Sequence, residues 1–119
     1  MNLNSFLPTV LKNGGASYNI TTGDATPKTG YMVGIDGYEE RHECSNILNY
    51  VVRDYVVRYS EILSDGETFL GGWLDRPAFE VCLDISMHIP DLQDAIHFAK
   101  NNNQVAIYDC RNKTEICII

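Results

Sequence analysis

The sequence predicts an α+β fold: a single domain, residues 1–119, with a mainly antiparallel sheet of about five to six strands and two helices packed on one face. Three features carry this expectation. Apolar residues between Ser45 and Leu63 recur at helical spacing, residues 79–87 alternate as a half-buried strand does, and no repeat or linker divides the chain. The elements follow in the order β-β-α-β-β-α-β-β.

Residues 13–30 hold Gly14, Gly15, Gly23 and Gly30 together with Thr21, Thr22, Thr26, Pro27 and Thr29, and show almost no apolar periodicity. A long turn-rich loop is expected there, with a short strand over 16–20. Tyr31 to Ile35 is a compact apolar run bounded by glycines, which reads as a buried strand closed by Asp36-Gly37. Leu48, Val51, Val52, Tyr55, Tyr59 and Ile62 then form a helical stripe. Ser45 is placed to cap this helix, Glu39, Glu40 and Glu43 lie on the favoured side of its dipole, and Gly66 ends it.

Two strands are expected over 69–74 and 79–87, turning at Asp75 to Ala78. In the second, Phe79, Val81, Leu83, Ile85 and Met87 share the core face. Glu80, Cys82, Asp84, Ser86 and His88 share the other, which is expected to be wet. Asp91 caps a second helix, with Asp94 as the short acid of a capping box and Leu92, Ala95, Ile96 and Ala99 as its apolar stripe. The run Asn101 to Asn103 ends it, and strands over 105–110 and 115–119 complete the chain.

Composition excludes several function classes. Apolar residues make up 45% and charged residues 21%, as in an ordinary globular domain rather than a disordered chain. No apolar run reaches the ~20 residues of a membrane span, and the start lacks the basic and apolar regions of a leader, so a cytoplasmic location is expected. Cys44, Cys82, Cys110 and Cys117 form no C-x-x-C pair and, with three histidines, no zinc spacing. They are expected as reduced thiols, buried as small hydrophobes, with no metal and no cofactor. Sixteen acids against nine scattered bases, net charge −7, disfavour direct nucleic-acid binding.

Candidate sites are few. Asp84, Ser86 and His88 bring an acid, a hydroxyl and an imidazole onto one strand face, but neighbours at i, i+2 stand ~6.6–7 Å apart, too far for a nucleophile and its base. They read as a solvated sheet face, and no catalytic residue is assigned. Gly71-Gly72-Trp73 offers a flat platform on which Trp73, with Tyr31, stacks a planar group; the competing reading is a bulge beside a core tryptophan. Lys28-Thr29 superficially resembles the end of a phosphate loop, but Pro27 stands where a glycine amide is required. The 13–30 loop is long enough to close over a ligand, or simply to be a surface connection. Asp36, Glu39, Glu40 and Glu43 form the one acidic cluster that could face a basic partner. His42 is expected in surface ion pairs, His97 in solvent, and Cys44 just before a helix N-terminus, where the glutamates oppose activation of its thiol.

Gly14-Gly15-Ala16-Ser17, Gly30-Tyr31-Met32-Val33, Leu70-Gly71-Gly72-Trp73 with Asp75, Leu83-Asp84-Ile85-Ser86, Asp91-Leu92 with Ala95, and Gln104 to Asp109 follow one another along most of the chain. In this pattern the sequence resembles a family of small, mostly uncharacterised proteins encoded by bacteriophages and integrated mobile elements. Residues 35–50 lie outside the resemblance. What it implies is a phage-type accessory protein in a bacterial cytosol, with no catalytic residues to carry over. The leading expectation is a non-enzymatic protein that binds and inhibits a host protein, a defence nuclease above all. A module binding a nucleotide-type small molecule between the 13–30 loop and Trp73 is the alternative, and a small hydrolase using Asp84 and His88 the third. A homodimer is a further arrangement open to so small a sheet.

Overall fold

The computed structural model describes residues 2–119, which form four helices and one seven-stranded sheet. The chain begins with a helix that periodicity did not predict, α1 (Leu3–Asn13). Asn2 caps it: its side chain accepts from the Ser5 amide at 3.1 Å, while the Ser5 hydroxyl accepts from the Asn2 amide at 3.1 Å. Gly14 ends it at φ 89°, its amide bonding the Val10 carbonyl. Pro8 masked this helix in the sequence, because an internal proline removes a ladder donor. The proline is exposed, and Phe6, Leu7 and Val10 keep their buried stripe beside it.

The expected strands at 16–20, 69–74 and 79–87 are present as β1 (Gly15–Tyr18), β4 (Thr68–Asp75) and β5 (Glu80–Ile89), paired antiparallel in the order β1, β4, β5. Along its other edge β5 pairs with two strands in line, β2 (Tyr31–Gly34) and β3 (Glu40–Glu43). From β2 the sheet continues to β6 (Ala106–Asp109) and β7 (Thr114–Cys117). Gly34 stands opposite Ser86 and Glu40 opposite Leu83. Six positions on one side therefore span three on the other, and three extra residues bulge out of the ladder. Asn103 Nδ2 donates to Asp36 in this bulge at 3.0 Å, and Asn102 Oδ1 accepts from the Asp36 amide at 3.2 Å. The asparagines expected only to end a helix thus also pin the bulge.

β3 corrects the expectation for residues 39–45. Glu39, Glu40 and Glu43 do not line a helix dipole, and Ser45 is no cap, because residues 40–43 pair with β5 instead. The helix expected over 45–66 begins later and is broken: α2 (Asn49–Arg58) has Leu48 at its cap position with no side-chain bond, and α3 (Ser60–Leu63) follows after Tyr59. The last helix, α4 (Leu92–Asn101), is capped as expected, Asp91 accepting from the Asp94 amide at 3.0 Å. The return bond of a capping box is not made, the aspartate at that position being a carbon shorter than glutamate.

All four helices cover the same face of the sheet. Val81, Leu83 and Ile85 point to that face as predicted and are fully buried with Leu70, Phe6, Val10, Val52, Tyr55 and Leu63, each such aliphatic or aromatic side chain contributing about 1.5–3 kcal/mol. Ala95 and Ala99 of α4 pack on Val33 and Ile107. Phe79 departs from its predicted core position: it sits in the β4–β5 hairpin turn at φ 55° and is 64% exposed. The opposite face has no helix, yet it is less wet than expected, since Cys82 is fully buried and Ser86 nearly so. Residues from the 19–30 segment lie against one end of it, where His88 Nε2 donates to the Thr29 carbonyl at 2.8 Å. Arg41 and Trp73 lie over the other end, in the register positions flanking Cys82.

Candidate functional site

The helix-free face carries a groove of about 770 Å³, within the ~300–1,000 Å³ of small-molecule sites. Strand register explains why a depression forms there. Directly opposed residues share a face, so Ser17 on β1, Gly71 on β4 and Asp84 on β5 stand in one row across the sheet. The next rows hold Gly15, Trp73, Cys82 and Arg41 on one side, and Phe69, Ser86 and Gly34 on the other. Glycine at 15, 34 and 71 leaves the floor without side chains, while Trp73, Tyr108 and Met32 stand on the lining as apolar walls. Gln104 lies over Gly34, where a Cβ would meet its Oε1 at 2.9 Å.

The acid at the centre, Asp84, is half-buried in the floor with its carboxylate open to the groove, and it takes part in no hydrogen bond or ion pair with any described residue. Burial, and then the like charge of Glu39, push its pKa up to about 6. Gly71 makes room for it, since a Cβ there would stand 2.0 Å from Asp84 Oδ1. Lys113, in the β6–β7 turn, is the only lysine or arginine on the lining, with Glu115 of β7 also on it.

Asp75, Glu80, Glu39 and Glu40, by contrast, are paired. Arg41 donates to Asp75 at 3.0 Å, to Glu80 at 3.3 Å and to Glu39 at 3.3 Å, with its guanidinium carbon 5.1 Å from the Trp73 ring centre. These bonds hold Asp75 below the usual carboxylate range and keep Arg41 charged. On the helix face of β3, Glu40 bonds His42 at 2.7 Å and receives Arg58 of α2. Burial acts upward on Glu40, but the Arg58 and His42 hydrogen bonds outweigh it and hold its pKa low.

The structure therefore divides the residues singled out from sequence. Gly71 and Trp73 lie on the groove, Trp73 being 37% exposed. Gly72 also borders the groove but turns its α-carbon to the helices, where a Cβ would stand 2.9 Å from both Phe6 and Val10; it is a close-packing glycine rather than a platform. Tyr31 does not join Trp73, because it packs with Val33 and Ile107 under α4 on the opposite face. Asp36, Glu39, Glu40 and Glu43 do not form one patch: Asp36 is held by Asn103, Glu43 accepts from Asn46, and Glu39 and Glu40 face opposite sides of the sheet. The 13–30 segment contributes Gly14, Gly15, Ser17 and Thr26 to the groove. Asp84 and His88 are four residues apart on one strand, ~13 Å by the usual rise, and His88 is engaged with Thr29.

Sequence reasoning left out Ser17, Gly34, Gln104, Tyr108 and Lys113, which reach the groove only through long-range pairing. It treated Asp84 as an ordinary solvated acid; the glycine opposite it was the missing signal. Among the described residues no group of three His, Cys, Asp or Glu side chains is arranged to hold a metal, and no helix is long and apolar enough to cross a membrane. The four cysteines are free: Cys110 is buried as expected, Cys82 is buried although its strand face was expected to be wet, Cys44 is half-buried, and Cys117 is exposed against expectation. Cys44 lies at the end of β3 and not at a helix N-terminus. Comparison with protein-family models, with curated proteins and with solved structures finds no match to this chain.

Proposed function

We propose that this protein is a binding module that captures a small planar, nucleobase-type ligand in the groove on the helix-free face of its sheet. The observation that carries the reading is Asp84, an acceptor without a partner that lies over Gly71 on the groove floor, with Trp73 on the wall beside it. A half-buried carboxylate with a raised pKa and no donor from its own chain, opening into a groove, marks a place where a ligand can supply the donors. With Lys113 as the one cation on the lining, the groove suits a base or nucleoside better than a chain of phosphates.

Trp73 is the single tryptophan and lies on the groove wall, so it reports occupancy directly. Nucleosides are expected to quench its emission and to raise the melting temperature, as any ligand of the folded state must. Absence of both effects across bases, nucleosides and nucleotides overturns the proposal.

A second reading keeps the phage-type accessory role, an inhibitor contacting a host defence nuclease. Support for it comes from the sequence pattern and from exposed apolar side chains, Phe79 at the hairpin tip and Tyr50 and Val57 on α2, rather than from the acids of residues 36–43, which are partnered within the chain. Copurification from host lysate at low salt tests it, and loss of a captured nuclease in a Phe79→Ser, Val57→Ser variant is the expected result. Capture unaffected by those changes counts against this surface.

A further inference from the structure

We infer that Asp84 selects a planar N–C–N unit bearing two parallel N–H donors, the unit shared by the N1–H and 2-amino edge of guanine and by a guanidinium group. This rests on the groove being a ligand site, and adds to it which chemistry the groove reads. A carboxylate is an acceptor fork: its two oxygens match two coplanar N–H groups and no single donor satisfies both. Elsewhere in this chain the fork is filled internally: His42 and Arg58 take the two oxygens of Glu40, and the Arg111 amide and Asn112 Nδ2 those of Asp109. At Asp84 no such donor arrives from any strand or helix packed around it.

The surroundings fix the shape of the missing group. Gly71 adds no side chain of its own beside Asp84, so the row from Ser17 to Asp84 stays low and a flat ring can lie across it, with Gln104 bordering it over Gly34. Trp73 is two residues from Gly71 on β4 and projects from the same face, ~6.6–7 Å away, so a ring bonded to Asp84 comes within reach of the indole. That indole already accepts one planar N–C–N cation, the guanidinium of Arg41 at 5.1 Å. A ligand anchored through a phosphate or carboxylate would instead face Asp84 and Glu115 with Lys113 alone as counter-charge.

Titration calorimetry on the full chain with guanosine, inosine, adenosine and agmatine tests the inference. Guanosine is expected to bind about tenfold or more tightly than inosine, which keeps N1–H but lacks the 2-amine. In Asp84→Asn the side-chain amide donates once and accepts once, so the preference is expected to pass from guanosine to xanthosine, whose 2-oxo group accepts. This gain cannot come from a misfolded variant. Agmatine binding that is lost in Asp84→Asn, with no binding of guanosine, supports the same recognition with a guanidinium as its source. Equal binding of guanosine, inosine and adenosine, unchanged in Asp84→Asn, overturns this inference and leaves the groove reading in place. No binding of any of the four, with no change in Trp73 emission, overturns both.

Discussion

Gly71 and Gly72 are adjacent in one strand, and the structure assigns them opposite consequences. In Gly72→Ala the new methyl points into the core, 2.9 Å from the Phe6 ring tip and 2.9 Å from a Val10 methyl, both side chains fully buried. Neither can swing into solvent, so α1 must be displaced from the sheet, and overpacking of this kind costs about 1–3 kcal/mol. With ~2.1 cal/mol/K of unfolding entropy per residue, 119 residues give about 250 cal/mol/K, and the melting temperature falls by about 4–12 °C. In Gly71→Ala the only close contacts of the methyl are with the Asp84 carboxyl group, Oδ1 at 2.0 Å and Cγ at 3.2 Å, the end of a side chain with no hydrogen bond to lose. The carboxylate rotates aside, the melting temperature moves by no more than about 2 °C by the same conversion, and nucleoside quenching of Trp73 is lost. Thermal melts followed by circular dichroism, with fluorescence titration of each variant, read both effects. Equal destabilisation by the two substitutions would refute the assignment of faces, and a stable Gly71→Ala variant that binds normally would remove Asp84 from the site.

Asp84 itself predicts a pH signature. Its folded pKa of about 6 lies above the ordinary 3.8, so the ionised group opposes folding; that penalty is complete above pH 6 and fades as pH falls toward 4. Asp84→Asn is therefore expected to stabilise the protein by about 1–3 kcal/mol at pH 8 and by little at pH 4, measured as the difference in urea midpoints, and a constant difference across that range rules the account out. Asn19→Ala removes the bond to the Gly66 carbonyl at 2.8 Å and leaves the Thr21 and Thr22 amides, at 2.9 and 3.2 Å, without their acceptor. A loss of about 2–3 kcal/mol with faster amide exchange through residues 19–30 is expected, and a change under about 0.5 kcal/mol contradicts it. Among the thiols, exposed Cys117 reacts first with a thiol reagent, while Cys82 and Cys110, raised by burial to about 12 and about 11, react only on unfolding; labelling of either buried thiol in the native protein contradicts their placement.

The pattern of residues revealed what is local and missed what depends on pairing. Val81, Leu83 and Ile85 declared their face because each is apolar and the strand period is two, and Asp91 declared a helix start because its cap is a two-residue device. Glu40 to Glu43 could not be read as a strand: its four polar residues have no apolar alternation, and β5 supplies the whole reason for their conformation. α1 was hidden by Pro8, although the cap formed by Asn2 and Ser5 is present in the sequence. The groove was half legible. Gly71 and Trp73 stood out by composition, but that Ser17 and Asp84 flank Gly71 on either side is a fact of register, which no local window contains.

Two departures from the ordinary rules of stability meet at the same point of the sheet, and their coincidence is the strongest reason to place function there. A glycine inside a central strand lowers stability by roughly 0.5–1 kcal/mol against a residue with a side chain, and an unpaired, half-buried acid lowers it further. Gly72 is explained without function, because α1 packs against it. Gly71 has no such neighbour: the only group its missing side chain accommodates is the carboxylate of Asp84, and that carboxylate bonds nothing. Alanine opposite asparagine would fill the same row at lower cost. A row that keeps both expensive residues, on the face left bare by every helix and beside the one tryptophan, is what a site awaiting a donor-bearing ligand requires.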